Sequence, residues 1–264
     1  MTDLAGKVVW LTGASSGIGE ALAYELAKKG AHLILSARNE KELLRVQSSC
    51  AWPERHHILP LDLEHYHALE DIAVRTWEQF GAIDVLINNA GLSQRYLGVD
   101  SSLALDERIM KVNFFGTTAL SRPLLKRMLA RGSGHIVVIS SVLGLYGIQT
   151  RTAYSASKHA LRGYFNSLRN ELRRTSLKVS LIYPGYITTK VSQNALNADG
   201  SAYGKVDKGH ASGLSAEACA MGIVQAIEKD RSETVIAGPK EYLGVLLSRW
   251  TPSLFRMLSA RAQV

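Results

Sequence analysis

The chain has 264 residues, of which 46% are hydrophobic and 20% charged, and this balance excludes a disordered chain and suits one α/β domain with a sizeable core. The formal net charge is +8, but the 31 Lys and Arg are scattered and form no long basic run, so no nucleic-acid partner is expected. The two cysteines, Cys50 and Cys219, have neither metal-ligand nor disulfide-framework spacing and fit a reducing compartment.

At the start of the chain, Met1–Lys7 lacks a basic region followed by an apolar core, and no apolar run reaches the ~18 residues of a membrane span. A cytoplasmic protein is expected. Lys7–Thr12 reads as a short apolar strand that runs into Gly13-Ala14-Ser15-Ser16-Gly17-Ile18-Gly19 and then a helix over Glu20–Lys29, stopped by Gly30. Glycines let a backbone approach a pyrophosphate, and a helix N-terminus offers free N–H groups and partial positive charge. Gly13, Ser15, Ser16, Gly17, Ile18 and Gly19 are therefore candidate phosphate contacts. The other reading is a turn that only caps its helix through Ser15 or Ser16.

His32–Ala37 is the second strand, ending in Ser36-Ala37-Arg38-Asn39. In a dinucleotide fold an acid at this place bonds the ribose 2′-hydroxyl, whereas an arginine accommodates a 2′-phosphate. Ala37 and Arg38 stand there without a carboxylate, so NADP(H) is the expected cofactor. The alternative is that Arg38 merely caps the next helix, Glu40–Ser49. His56–Leu61 is the third strand, with Asp62 and Leu63 after it to face adenine. His56, His57, His65 and His67 read as surface histidines, because no set of carboxylates converges with them, and no metal is expected. A helix over Ala68–Phe80 leads to the fourth strand, Ile83–Ile87, which opens into Asn88-Asn89-Ala90-Gly91. There the Asn side chains can bridge strands, and Asn89, Ala90 and Gly91 lie near the ribose.

Leu103–Arg131 reads as one long helix interrupted at Pro123, with Asn113 and Gly116 marking a local distortion that frees a backbone carbonyl. Ile136–Ile139 is a buried strand followed by Ser140 and Ser141. The Leu143–Thr150 loop is expected to touch substrate through Tyr146 and Gln149. The next helix, Arg151–Thr175, carries Tyr154 and Lys158 four residues apart and hence on one face. Free tyrosine titrates near ~10, and a nearby ammonium lowers that value, which makes the pair a candidate acid/base. Ser141 is placed to donate to a carbonyl held beside Tyr154. Lys178–Tyr183 is the sixth strand, ending at Pro184-Gly185-Tyr186-Ile187-Thr188.

Residues 189–213 are rich in small and polar side chains and read as a lid. A helix over Ser215–Lys229 and a seventh strand over Glu233–Ala237 complete a single-domain Rossmann fold, a doubly wound parallel seven-stranded sheet flanked by helices over 1–264. The tail, 240–264, carries Leu243, Leu246, Leu247, Trp250, Leu254 and Leu258 at helical spacing with Arg249, Arg256 and Arg261, and Pro252 divides it into two helices. This stripe can pack on its own domain, form a subunit contact, or lie peripherally on an anionic membrane.

Together, Thr12–Gly19, Asn88–Gly91, Asn113, Ser141, Tyr154 with Lys158, and Pro184-Gly185 resemble the short-chain dehydrogenase/reductase family over residues 5–240. Within it, Leu33–Arg38, Gly91–Arg95 and Ser157–Gly163 are similar to the dehydrogenase/reductase member 7 subgroup. Relatives there often carry an N-terminal membrane anchor; Met1–Lys7 does not suggest one, so a soluble version is expected. The resemblance implies Tyr154 as acid/base, Lys158 on the nicotinamide ribose, Ser141 polarising the substrate carbonyl, and Asn113 holding a water that links Lys158 to solvent. Pro184, Gly185, Ile187 and Thr188 would wrap the nicotinamide. The expected activity is an NADPH-dependent carbonyl reductase, or in reverse a secondary alcohol dehydrogenase, on a lipophilic small molecule, in a homodimer or homotetramer. The alternatives are an NAD-dependent enzyme of the same fold and a nucleotide sensor without turnover, against which the intact Asn–Ser–Tyr–Lys set argues.

Overall fold

The computed structural model describes residues 2–189, 195–205 and 213–261. Residues 190–194 and 206–212 of the expected lid and the last three tail residues lie outside the described residues. The described strands are β1 (Val8–Thr12), β2 (His32–Ser36), β3 (His57–Ile58), β4 (Val85–Asn88), β5 (His135–Ile139), β6 (Lys178–Pro184), β7 (Ile187–Thr188), β8 (Leu214–Ser215) and β9 (Glu233–Ile236). The helices are α1 (Gly17–Lys28), α2 (Glu40–Ser49), α3 (Leu69–Phe80), α4 (Leu103–Met110), α5 (Gly116–Arg131), α6 (Thr152–Glu171), α7 (Ala216–Glu228), α8 (Pro239–Trp250) and α9 (Pro252–Arg261). Seven strands form one sheet in the order β3-β2-β1-β4-β5-β6-β9, parallel at every described pairing. The expected doubly wound parallel sheet is therefore observed.

The central strands are apolar along their length because helices cover both faces. Alternate residues enter two cores. Val9, Leu11, Leu33, Leu35, Val85, Ile87, Val137 and Ile139 pack with α1 and α7. Trp10, Ile34, Leu86, Ile136 and Val138 pack with α3, α5 and α6 through Ala73, Leu120, Leu124, Leu161 and Phe165. Phe165 is fully buried and braces α6, the helix that carries Tyr154 and Lys158, against the sheet.

Several expectations are corrected. β3 is only two residues long. The buried His56 ring takes over at its edge: Nδ1 accepts from the Leu33 N–H at 3.2 Å, and Nε2 lies 2.8 Å from the Ala51 carbonyl. It is therefore not a surface histidine. The long helix is not interrupted at Pro123, which lies inside α5; the break is a π-helical turn, Lys111–Phe115, centred on Asn113. Gly116 follows because a Cβ there would stand 2.8 Å from the Leu63 carbonyl. The β7–β8 pair was not foreseen. The tail does divide at Pro252. Phe165→Ala should destabilise the protein by about 3–5 kcal/mol, the usual range for an aromatic cavity, measured by urea unfolding; a loss under ~1 kcal/mol would show that α6 is not braced here.

Candidate active site

Strand order reverses between β1 and β4, and in open α/β sheets the crevice at the carboxyl ends of such strands receives ligands. A cavity of about 960 Å³ lies there. Of the residues singled out from sequence, Gly13, Ser15, Ser16, Gly17, Ile18, Gly19, Arg38, Asp62, Leu63, Asn89, Ala90, Gly91, Ser141, Tyr154, Lys158, Pro184, Gly185 and Ile187 line it. Asn113, Thr188 and Gln149 do not.

The glycine turn is sterically determined. Gly13 has φ +68°, and a Cβ on it would fall 2.8 Å from the Ala90 Cα. A Cβ on Gly19 would fall 2.0 Å from the Gly13 carbonyl oxygen. Asn89 closes the same place, its amide donating to the Thr12 and Gly13 carbonyls at 3.1 and 3.2 Å, while Asn88 reaches Ser121 on α5 instead of a neighbouring strand. The α1 N-cap position, Ser16, makes no side-chain capping bond. The helix start thus presents its N–H groups to the cavity, and the turn fits an anionic pyrophosphate. Arg38 is exposed at the cavity edge and makes no ion pair with a described residue. Asn39, not Arg38, caps α2 by accepting from the Glu42 N–H at 3.3 Å. Asp62 caps its own turn through Glu64 N–H at 3.0 Å.

At the other end, Ser141 lies two residues beyond β5 and accepts from the Leu143 N–H at 3.2 Å. Its hydroxyl donates to the Pro184 carbonyl at 3.5 Å and stands close enough to the Tyr154 phenol to act on it. Lys158 is buried, donates to the Ile139 carbonyl at 3.0 Å, and sits 5.7 Å from the Tyr154 ring centre. Burial pushes the Tyr154 phenol above its ordinary value, with Arg151 and the Ser141 hydroxyl opposing. Lys158 does not depress Tyr154 here as the spacing suggested: desolvation acts on both groups, and it lowers the lysine itself to about 8. Asn113 is fully buried behind the cavity, its amide bonded to the Leu92 N–H at 2.7 Å, the Leu92 carbonyl at 3.0 Å and the Ser157 hydroxyl at 2.9 Å. Its backbone carbonyl is taken by the Thr117 hydroxyl at 2.9 Å.

Two residues that place Tyr154 were missed. Gln94, fully buried, accepts from the Tyr154 backbone N–H at 3.1 Å and donates to Thr152 at 2.9 Å, so it caps α6 from a distant loop. Arg151 lines the cavity, donates to Ser93 and the Gln94 carbonyl, and its guanidinium lies 5.9 Å from the Tyr154 ring centre. Burial and the neighbouring Arg95 hold Arg151 down to about 10. A cation at a helix start, against the dipole, was the one available sequence signal. Tyr146 lines the cavity as expected, whereas Gln149 turns outward to the Ala260 carbonyl at 3.3 Å. Thr188 is exposed and directs its hydroxyl to the Gly213 carbonyl at 3.4 Å; the next residue, Thr189, lines the cavity.

This fold and crevice define an α/β protein of the Rossmann, dinucleotide-binding type. A family model described as short chain dehydrogenase matches residues 7–200. A fly relative, the dehydrogenase/reductase SDR family protein 7-like of Drosophila melanogaster, is 40% identical over 99% of this chain and 82% of its own. A short chain dehydrogenase/reductase from Burkholderia phymatum, solved in complex with NAD, has a TM-score of 0.84 at 25% identity, covering 96% of both chains. An alcohol dehydrogenase from the archaeon Thermococcus sibiricus, complexed with 5-hydroxy-NADP, has a TM-score of 0.74 at 25% identity over 88% of this chain and 97% of its own. The chain belongs to the short-chain dehydrogenase family and is an oxidoreductase of that family.

The Lys158 shift has a consequence for folding. Between pH 8 and 10.5 the unfolded lysine holds a proton that the folded one has lost, so stability rises with pH across that window, by at most about 1.4 kcal/mol per unit. Lys158→Met should flatten this rise in thermal midpoints taken without cofactor from pH 8 to 10. An unchanged slope would place the lysine's pKa near its ordinary value.

Proposed function

We propose that the chain is an NADP(H)-dependent carbonyl reductase, acting in reverse as a secondary alcohol dehydrogenase, on a small lipophilic ketone or alcohol. The observation that carries this reading is one continuous cavity with Tyr154, Ser141 and Lys158 at one end and, at the other, Arg38 in place of a carboxylate just after β2. Ser15, Ser16, Gly17 and Ile18 would hold the pyrophosphate, Asp62 and Leu63 the adenine, Asn89–Gly91 the nicotinamide ribose, and Arg38 the 2′-phosphate. Pro184, Gly185 and Ile187 would flank the nicotinamide, with Thr189 taking the place first given to Thr188. The cofactor, when bound, supplies the hydride.

The protein's part is position and a proton. Ser141 donates a hydrogen bond to the substrate carbonyl and turns it toward Tyr154. The Tyr154 phenol keeps its proton through the neutral range because it is buried, and it gives that proton to the carbonyl oxygen as the alcohol forms. Lys158 holds the ribose hydroxyls, and the Arg151 cation favours the phenolate left behind. Asn113 fixes the Leu92 turn beside Lys158, where a water would return the proton from solvent. Tyr146 and Leu196 give the substrate end an apolar wall.

Two variants test this. Tyr154→Phe keeps the ring and removes the proton; kcat should fall about 10²–10⁴-fold with cofactor affinity nearly intact, and near-normal turnover would refute the assignment. Arg38→Asp should cost NADPH affinity by about 1.5–3 kcal/mol, the size of a charge-assisted bond, and raise relative affinity for NADH. Equal affinities of the unaltered protein for NADPH and NADH, read by fluorescence titration, would overturn the cofactor choice.

A further inference from the structure

The α8–α9 pair is built inside out. On α8, Tyr242, Leu243, Leu246 and Trp250 fall within about 100° of arc at 3.6 residues per turn, and all four are exposed, Trp250 at 74%. The opposite arc, toward the domain, holds Glu241, Gly244, Val245, Leu247 and Ser248, which are half-buried. The helix thus turns Val245 and Leu247 inward among polar and small residues, and leaves its other four large apolar residues outward. α9 continues the pattern: Phe255 and Ser259 face in, and Leu254, Met257 and Leu258 are exposed. Such a face on a folded chain marks something that covers it.

Charge chooses among the occupants. Residues 239–261 carry four basic side chains, Lys240, Arg249, Arg256 and Arg261, against one acid, Glu241, a balance of +3. Lys240, Arg249 and Arg256 are exposed and pair with no acid among the described residues, while Glu241 is drawn inward beside Gly185 and Gly238. Two copies meeting on this face would set +3 against +3, which disfavours self-association. An anionic bilayer surface satisfies both features: the apolar stripe enters the headgroup boundary, Trp250 and Tyr242 suit its amphipathic depth, and the basic rim meets lipid phosphate.

We propose that the outward face of α8–α9 docks the protein on a membrane surface rich in anionic phospholipid. The face lies at the substrate end of the cavity. The Phe255 ring is 4.9 Å from that of Tyr146, which lines the cavity, and a second hollow between α9 and residues 147–155 shares Ile148 and Arg151 with it. Docking would therefore bring the substrate end to the lipid, where lipophilic ketones concentrate; this consequence, unlike the docking, rests on the reductase reading.

The experiment uses the full chain with vesicles of phosphatidylcholine alone or mixed with phosphatidylglycerol, at low and high salt, read by co-sedimentation. The unaltered protein should sediment with the anionic vesicles, release with salt, and ignore the neutral ones. The apolar variant L243S/L246S/W250S should bind at least about tenfold more weakly. The charge variant K240E/R249E/R256E should bind on the order of 100-fold more weakly. All six substituted side chains are exposed, so both variants should keep their circular dichroism and thermal midpoint. Failure of the unaltered protein to sediment overturns the proposal, as does undiminished binding by the apolar variant. A dimer that the apolar variant converts to monomer, with no vesicle binding, would make the face a subunit contact. No arm reads turnover, so an inactive protein that binds vesicles would count against the reductase reading alone.

Discussion

The cleft depends on one buried amide. Asn113 holds both backbone groups of Leu92 and the hydroxyl of Ser157, and that hydroxyl in turn donates to the Tyr154 carbonyl at 2.7 Å. The loop after β4, the π turn and α6 meet at this side chain. The Asn113 amide and the Ser157 hydroxyl are fully buried, and a buried polar group left without a partner costs about 1–3 kcal/mol. The loop and helix are therefore held in one arrangement, and Tyr154 stands where β5 delivers Ser141. Gly91 belongs to the same joint, since a Cβ there would press to 3.2 Å from the Asn113 oxygen and 3.5 Å from Lys158 Nζ. The unfavourable residues in the long helix are the ones its neighbours require.

Burial then sets the chemistry. Taking Tyr154 and Lys158 out of water pushes both toward neutrality, the phenol up and the amine down. A phenol that keeps its proton is the form needed to donate. Arg151 works against desolvation from within the same wall, as a fixed cation that titrates above the lysine. The tyrosine is thus tuned by burial and by Arg151, not by the Lys158 that the four-residue spacing singled out.

What sequence revealed was what local pattern encodes. Apolar strands, the glycine turn before α1, the Tyr154–Lys158 spacing, the stop at Pro252 and the distortion near Asn113 all arise within a few residues, and each is present in the structure. What it concealed depends on contacts across the chain. Gln94 caps α6 from 60 residues away, and no local rule marks it. His56 replaces strand hydrogen bonds with its ring, so β3 is shorter than its composition suggests. Pro123 sits without a break in α5 because neighbours bury that helix. Thr188 and Thr189 exchange places because β7 pairs with β8, which fixes which of the two side chains faces out.

The tail shows the same division. Periodicity announces that α8 has an apolar stripe but is silent on which way the stripe points. A helix of twelve residues followed by one of ten is marginal in water without tertiary burial. On its inner side α8 offers the domain Val245 and Leu247, both only half-buried, beside Gly244 and two polar residues, so a modest apolar area holds it there. Phe255 adds a ring contact to Tyr146, a residue of the cavity wall, beside Val245 on the core and the Gln149 amide on the Ala260 carbonyl. Whatever stabilises α8–α9 from outside thereby bears, through Phe255 and Tyr146, on the wall of the cavity.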